Sequence, residues 1–257
     1  MILNNRNGLS FFQFPNLTRF PEIQHGIFTR KGGRSQGPYR SLNTSFSVGD
    51  DPRNVQQNRT IISSCLEPAE LLYIRQVHGN EAVVCTQDND SSRSGRSNRP
   101  REGDALVTAL KRTLLLVQVA DCQSVFLYDP FKKVTANVHS GWRGSIKNVI
   151  GRAVKTMETE MQCLAPHIVA GVGPSLGPCC AEFVNYESEI PKEFWKYKDQ
   201  SDLFDFWSLS RDQLVAAGVV NENIFLSKMC TKCNPKLFFS YRGERRTGRF
   251  AAVIGLI

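Results

Sequence analysis

Between residues 104 and 138 the chain runs through DALVTAL (104–110), TLLLVQV (113–119), SVFLYD (124–129) and KVTANV (133–138), four apolar stretches of strand length. Several are apolar at both odd and even positions. Successive side chains of a strand point to opposite faces, so such a run is satisfied only inside a sheet covered on both sides. This restricts the chain to an α/β layered fold, mixed β-sheets covered by helices, and argues against an open antiparallel sheet. Further strand-like runs are LLYIRQV (71–77), EAVVCTQ (81–87), HIVAGVG (167–173), NIFLSKM (223–229), LFFSY (237–241) and FAAVIGLI (250–257).

Helices are marked more sparsely. Asp51 can cap and Pro52 suits the first helical position, with Val55, Ile62 and Leu66 recurring on one side. Ile146, Val149, Ile150, Ala153, Val154, Met157 and Met161 have the spacing of one helical face and predict a single amphipathic helix from Ser145. A helix is also expected around Tyr186 to Tyr197. Another is expected from a capping box at Ser210 and Gln213, ending near Gly218. The segment 29–45 is broken by Gly32, Gly33, Gly37 and Pro38 and reads as a loop able to fold over a site. With no repeat and no linker, residues 1–257 read as one domain, residues 1–25 being a peripheral extension.

No apolar run approaches the roughly 20 residues of a membrane span. The first residues lack a charged region followed by an apolar one, so a cytoplasmic location is expected. The formal charge of +8 favours anionic ligands. Four arginines of the excess fall in 88–101, which reads as a solvated loop. That loop, with Arg242, Arg245, Arg246 and Arg249, could contact nucleic acid, but no aromatic residues interleave to stack bases and no specific binding is expected. The eight cysteines are too scattered for a disulfide framework. Cys179, Cys180, Cys230 and Cys233 could form a four-thiolate zinc site, but only one C-x-x-C is present, which favours packing or incidental thiols.

Three residues carry the chemistry. Cys122 follows LLLVQVAD, His139 follows KVTANV and His78 closes LLYIRQV, each expected at a strand end, where a side chain leaves the core yet stays fixed. An N, S, N ligand set suits a catalytic zinc with an open fourth position. Structural histidines and a buried thiol are the competing reading. Asp121 could orient a ligating imidazole or act as a base. In HSGWRG, Gly141 and Gly144 allow a turn into a helix start, where Arg143 and free N–H groups could hold an anion, unless the segment is a plain turn anchored by Trp142.

RQVHGN (75–80), GDALVT (103–108), ADCQSVFLYD (120–129), NVHSGWRG (137–144), GVGPSLGPCCAEF (171–183) and SYRGERRTGRFAAVIGLI (240–257) together resemble the laccase-domain family. Its members have been called multicopper polyphenol oxidases and are now described as purine nucleoside phosphorylases. The resemblance implies that His78, Cys122 and His139 bind zinc, with copper as a substitute. It implies phosphorolysis of adenosine, inosine and S-methyl-5'-thioadenosine to free base and (methylthio)ribose 1-phosphate, with an adenosine deaminase side activity. It implies that Asn43 and Arg59 face the site, and a fold similar to the catalytic domain of cytotoxic necrotizing factor. A monomer or homodimer is expected. Gly103 and Ser140 depart from the usual A-D-A and H-A-G-W-R-G patterns.

Two rival chemistries follow. A cysteine hydrolase would use Cys122 as nucleophile and His139 as base on an amide; related bacterial members have been linked to peptidoglycan precursors. A multinuclear copper oxidase would draw on many imidazoles, and the chain has His25, His78, His139 and His167 alone. The H-x-E with P-C-x-x-C signature of cytidine-type deaminases is missing.

Overall fold

A computed structural model of the chain describes residues 1–66, 69–87 and 101–257. Among these, strands β1 (Ile2–Arg6), β2 (Leu9–Gln13), β3 (Ile23–Phe28), β4 (Glu70–Tyr73), β5 (Ala82–Cys85) and β6 (Ala105–Thr108) precede the central trio. That trio is β7 (Thr113–Val119), β8 (Gln123–Asp129) and β9 (Val134–Ser140), and β10 (Val169–Val172), β11 (Ile224–Leu226) and β12 (Phe250–Leu256) follow. They form two six-stranded mixed sheets, ordered β1-β2-β3-β12-β7-β4 and β11-β10-β8-β9-β6-β5. Parallel pairs occur at β4·β7, β5·β6 and β10·β11. The helices are α1 (Pro52–Cys65), α2 (Trp142–Ile146), α3 (Val149–Met161), α4 (Tyr186–Glu189), α5 (Phe206–Ala216) and α6 (Tyr241–Glu244).

The alternation within each strand explains the apolar runs. Val117 and Val119 of β7 and Phe250, Ala252 and Ile254 of β12 face inward and pack with Phe126 and Tyr128 of β8. Leu114 and Leu116, with Ala251 and Val253, face outward onto Ile62 and Cys65 of α1. On the second sheet Val125 and Leu127, with Val134, Ala136 and Val138, face outward onto Val149, Ala153, Val154 and Met157 of α3. Helix, sheet, sheet and helix therefore stack as four layers. Asn137 fastens the inner pair of layers, donating from Nδ2 to the Leu115 carbonyl at 2.8 Å and the Ala252 carbonyl at 2.9 Å. Each such bond contributes about 0.5–1.5 kcal/mol net.

Several expectations change. Residues 1–25 are integral: they supply two strands and the start of a third, and bury Leu9, Phe11, Phe14 and Leu17. The helix expected from Ser145 is two helices, because Asn148 turns left-handed (φ 54°) and its side chain caps Gly151 N–H. Pro191 has no N–H to donate, and it separates α4 from a 3₁₀ turn at Lys192–Tyr197. α5 starts four residues before Ser210: Asp205 caps it, and Ser210 bonds to Gln123. LFFSY is no strand; Phe238 and Phe239 fill the core from the loop that follows a turn. The loop 29–45 is tied to α1 by Asn58, whose side chain bonds to Arg34, Ser35, Ser41 and Asn43.

Candidate active site and metal centre

His139 is the penultimate residue of β9, where the alternation turns it inward beside Asn137. Cys122 lies in the β7–β8 turn, one residue before β8, after Asp121 has taken φ 87°. His78 is not at a strand end. β4 stops at Tyr73, and His78 sits in a loop with φ 58°. The three ligand atoms lie within 4.8 Å of one another. Cys122 Sγ is 4.0 Å from His78 Nε2, and the two imidazoles meet edge-on with centroids 4.9 Å apart.

The residue that assembles them is Asp104, which is fully buried. Its Oδ1 lies 2.8 Å from His139 Nδ1, and its backbone carbonyl accepts from His139 N–H at 2.7 Å. The same carboxylate accepts the backbone N–H groups of His78 (3.0 Å) and Gly79 (2.6 Å). One side chain thus fixes the ring of one imidazole and the loop of the other. With Nδ1 engaged, His139 keeps Nε2 for a ligand, the usual arrangement behind a metal-bound histidine. Gln76 completes the loop's anchorage by pairing with both backbone groups of Gln118 at 2.9 Å.

Electrostatics follow from this packing. Burial would raise the Asp104 carboxyl, but His139 and the Gly79 and His78 N–H groups outweigh it and hold the group below its ordinary value. Burial would likewise raise the Cys122 thiol, and the two imidazoles bring it down to about 6. For His139 burial acts downward, while Cys122 and Asp104 lift it to about 9. Donor types N, S and N, a thiol that ionises readily and an oriented imidazole suit a zinc-like ion. Gly141 fits the same picture: a Cβ there would come within 3.0 Å of both Cys122 Sγ and His78 Cδ2.

Two cavities meet at the triad. One, of about 550 Å³, is lined by Ser45, Arg59, Gln118 and Arg249. The other, of about 310 Å³, is walled by Trp142, Phe183, Phe206 and Tyr241, with Arg143 and Arg242 at its rim. Arg59 is buried, rests on the Tyr73 ring at 4.0 Å, and keeps Nη1 without a partner among the described residues. Asn43 is also buried but lines neither cavity; it bonds to Ser45, Asp50 and the Arg249 backbone. Gly144, within α2, packs against the Gly79 carbonyl and lines neither cavity. Asp121 accepts from Thr231 Oγ1 and Arg242 N–H, both at 2.6 Å, so orienting His139 falls to Asp104 instead.

Reading the sequence missed Asp104, Gln76 and Gln118, and it grouped Arg242 and Arg249 with Arg245 and Arg246 as one basic cluster. In the fold Arg242 and Arg249 each line one cavity. Of the basic stretch 88–101, residues 88–100 lie outside the described residues. Only the dipeptide GD before β6 hinted at Asp104, and nothing in it says where the carboxylate points.

Residues 24–257 match the family model described as multi-copper polyphenol oxidoreductase laccase. The chain belongs to that family. It is 32% identical to "Purine nucleoside phosphorylase YlmD" of Geobacillus stearothermophilus over 90% of this chain and 89% of that protein. It is 31% identical to "Purine nucleoside phosphorylase YfiH" of Escherichia coli over 89% and 92% respectively. The crystal structure of YlmD from G. stearothermophilus superposes with a TM-score of 0.85 at 30% identity, covering 98% of this chain and 97% of that one. The Bacillus licheniformis hypothetical protein YfiH gives 0.88 at 25% identity over 99% of both chains. Among the described residues, the histidines and cysteines at the cavities form one candidate position for a single ion. Of the four histidines, His25 is in the core accepting from Phe14 N–H at 2.9 Å, and His167 packs on Phe131. No helix among the described residues is long and apolar enough to cross a membrane.

Proposed function

We propose that the chain is a zinc-dependent purine nucleoside phosphorylase acting on adenosine, inosine and S-methyl-5'-thioadenosine, with adenosine deamination as a side activity. The observation that carries it is the His78, Cys122, His139 triad at the junction of a cationic and an aromatic cavity, within a family whose relatives bear that name. Phosphate is held in the first cavity by Arg59 and Arg249, whose planar guanidinium groups suit phosphate oxygens. The purine is held in the second cavity against the wall formed by Trp142, Phe183 and Phe206, which excludes water from the leaving base. Phosphate oxygen then attacks the anomeric carbon from the cationic side while the glycosidic electron pair leaves with the purine. A zinc ion bound by the three residues, or copper in its place, supplies a Lewis acid at the junction. Asp104 keeps both imidazoles in place throughout.

A cysteine hydrolase is the second reading, favoured by one observation: Cys122, His139 and Asp104 are linked in the order nucleophile, base, orienting carboxylate. One chromatogram separates the chemistries. Adenosine with phosphate gives adenine by phosphorolysis and inosine by deamination, and hypoxanthine when both act in sequence. Activity on amide substrates that iodoacetamide abolishes in metal-free protein, with no adenine formed by the metal-loaded protein, would replace the phosphorylase reading with the hydrolase.

A further inference from the structure

The four cysteines that spacing alone left as incidental converge. Cys179 and Cys180 lie in the turn after β10, Cys230 and Cys233 in the turn after β11, and their four sulfurs lie within 4.8 Å of one another. Cys233 Sγ is 3.6 Å from both Cys179 Sγ and Cys180 Sγ. Four thiolates at about 2.3 Å from a tetrahedral zinc stand roughly 3.8 Å apart. The separations are thus those of a metal cage, and far wider than the roughly 2.05 Å of a disulfide.

The backbone is arranged accordingly. The Gly177 N–H points at Cys230 Sγ at 3.4 Å, and the Cys233 N–H also bonds to that sulfur. Such N–H groups stabilise a thiolate inside a turn. Gly177 has no room for a side chain, since a Cβ would meet Trp207 at 2.6 Å and the Cys230 Cβ at 3.1 Å. Cys179 and Cys233 are exposed, leaving a path for an ion to enter.

We propose that Cys179, Cys180, Cys230 and Cys233 form a second, structural zinc site that clamps the two turns together. The cage is closed, with four protein ligands and no open position, unlike the triad. Its placement gives it a task. The two turns are joined by Thr231 N–H to the Ser175 carbonyl (3.0 Å), and Thr231 Oγ1 holds Asp121, the neighbour of Cys122. Leu176 N–H reaches the Asp121 carbonyl at 2.9 Å. The clamp therefore fixes the turn from which Cys122 emerges, and the wall of the aromatic cavity with it.

The test is metal content of full-length protein produced with added zinc. Wild type is expected to carry two equivalents, and Cys122→Ala/His139→Ala one. Substituting cobalt(II) for zinc in that double variant should give the intense thiolate-to-metal absorption of an all-sulfur tetrahedral site. Cys179→Ser/Cys233→Ser should lose one equivalent, retain the triad's metal and melt several degrees lower. If that variant does not fold, the Cys122→Ala/His139→Ala protein decides alone. No metal in it, or a disulfide among the four cysteines after alkylation and mass spectrometry of the native protein, would overturn the assignment.

Discussion

Asp104 Oδ1 lies 2.8 Å from His139 Nδ1 while the same carboxylate takes the backbone N–H of His78 at 3.0 Å, so one buried residue positions two candidate metal ligands carried on separate segments. Asp104→Asn keeps the shape but removes the charge and can present an N–H to groups that need an acceptor. Metal affinity is expected to fall about 10–100-fold. Competition with a chelator of known affinity measures it; unchanged affinity would mean that the imidazoles hold their places unaided.

Gly141 offers a steric counterpart. In Gly141→Ala the new methyl would sit 3.0 Å from Cys122 Sγ and His78 Cδ2, so one ligand must move. Because Gly141 has φ −79°, alanine brings no backbone penalty there. The variant should fold with a near-wild-type melting temperature yet lose most of its triad metal. Full occupancy with full activity would count against the geometry described.

Arg59 lines the cationic cavity, rests its charge on Tyr73 and Phe46, and has no partner for Nη1 among the described residues. Arg59→Lys retains a charge and loses the fork. The KM for phosphate is expected to rise about tenfold or more, as for loss of a hydrogen bond to a charged group, with the KM for nucleoside nearly unchanged. Phe183→Ala should show the reverse split. Steady-state kinetics varying each substrate in turn would expose an exchange of these roles.

His25 reports on stability, not catalysis. It is buried, accepts Phe14 N–H, and burial lowers its pKa to about 4. The unfolded state therefore takes up a proton near pH 6.5 that the folded state refuses until about pH 4. Stability is complete above pH 6.5 and is lost as pH falls through that window, by on the order of 3 kcal/mol from this one group. Urea unfolding at pH 7, 6, 5 and 4 should show a shallower decline for His25→Gln than for wild type. Parallel declines would remove His25 as the cause.

The layers were legible because β7, β8 and β12 are apolar on both faces, and only covered sheets satisfy that. What the pattern could not say is which helix covers which face; α1 on Leu114 and Leu116, and α3 on Val125 and Leu127, are tertiary facts. The candidate ligands were legible as reactive residue types beside apolar runs. Asp104 was not, because its role depends on the direction of a carboxylate behind β6. The convergence of the four cysteines was not legible for a related reason: their two pairs are about fifty positions apart, and the pairing of β10 with β11 brings the two turns together. Asn148 shows a local limit, since an apolar helical stripe continues across a residue that the backbone uses to break the helix.

The most direct measurement is ribose 1-phosphate formation from adenosine and phosphate by wild type and by Cys122→Ala, each with its metal content determined on the same sample. Wild type should form ribose 1-phosphate in an amount equal to the sum of adenine and hypoxanthine. Cys122→Ala should lack the triad's metal and form neither. A Cys122→Ala protein that has lost that metal and still phosphorolyses adenosine at the wild-type rate would contradict the assignment of the triad as the reaction centre.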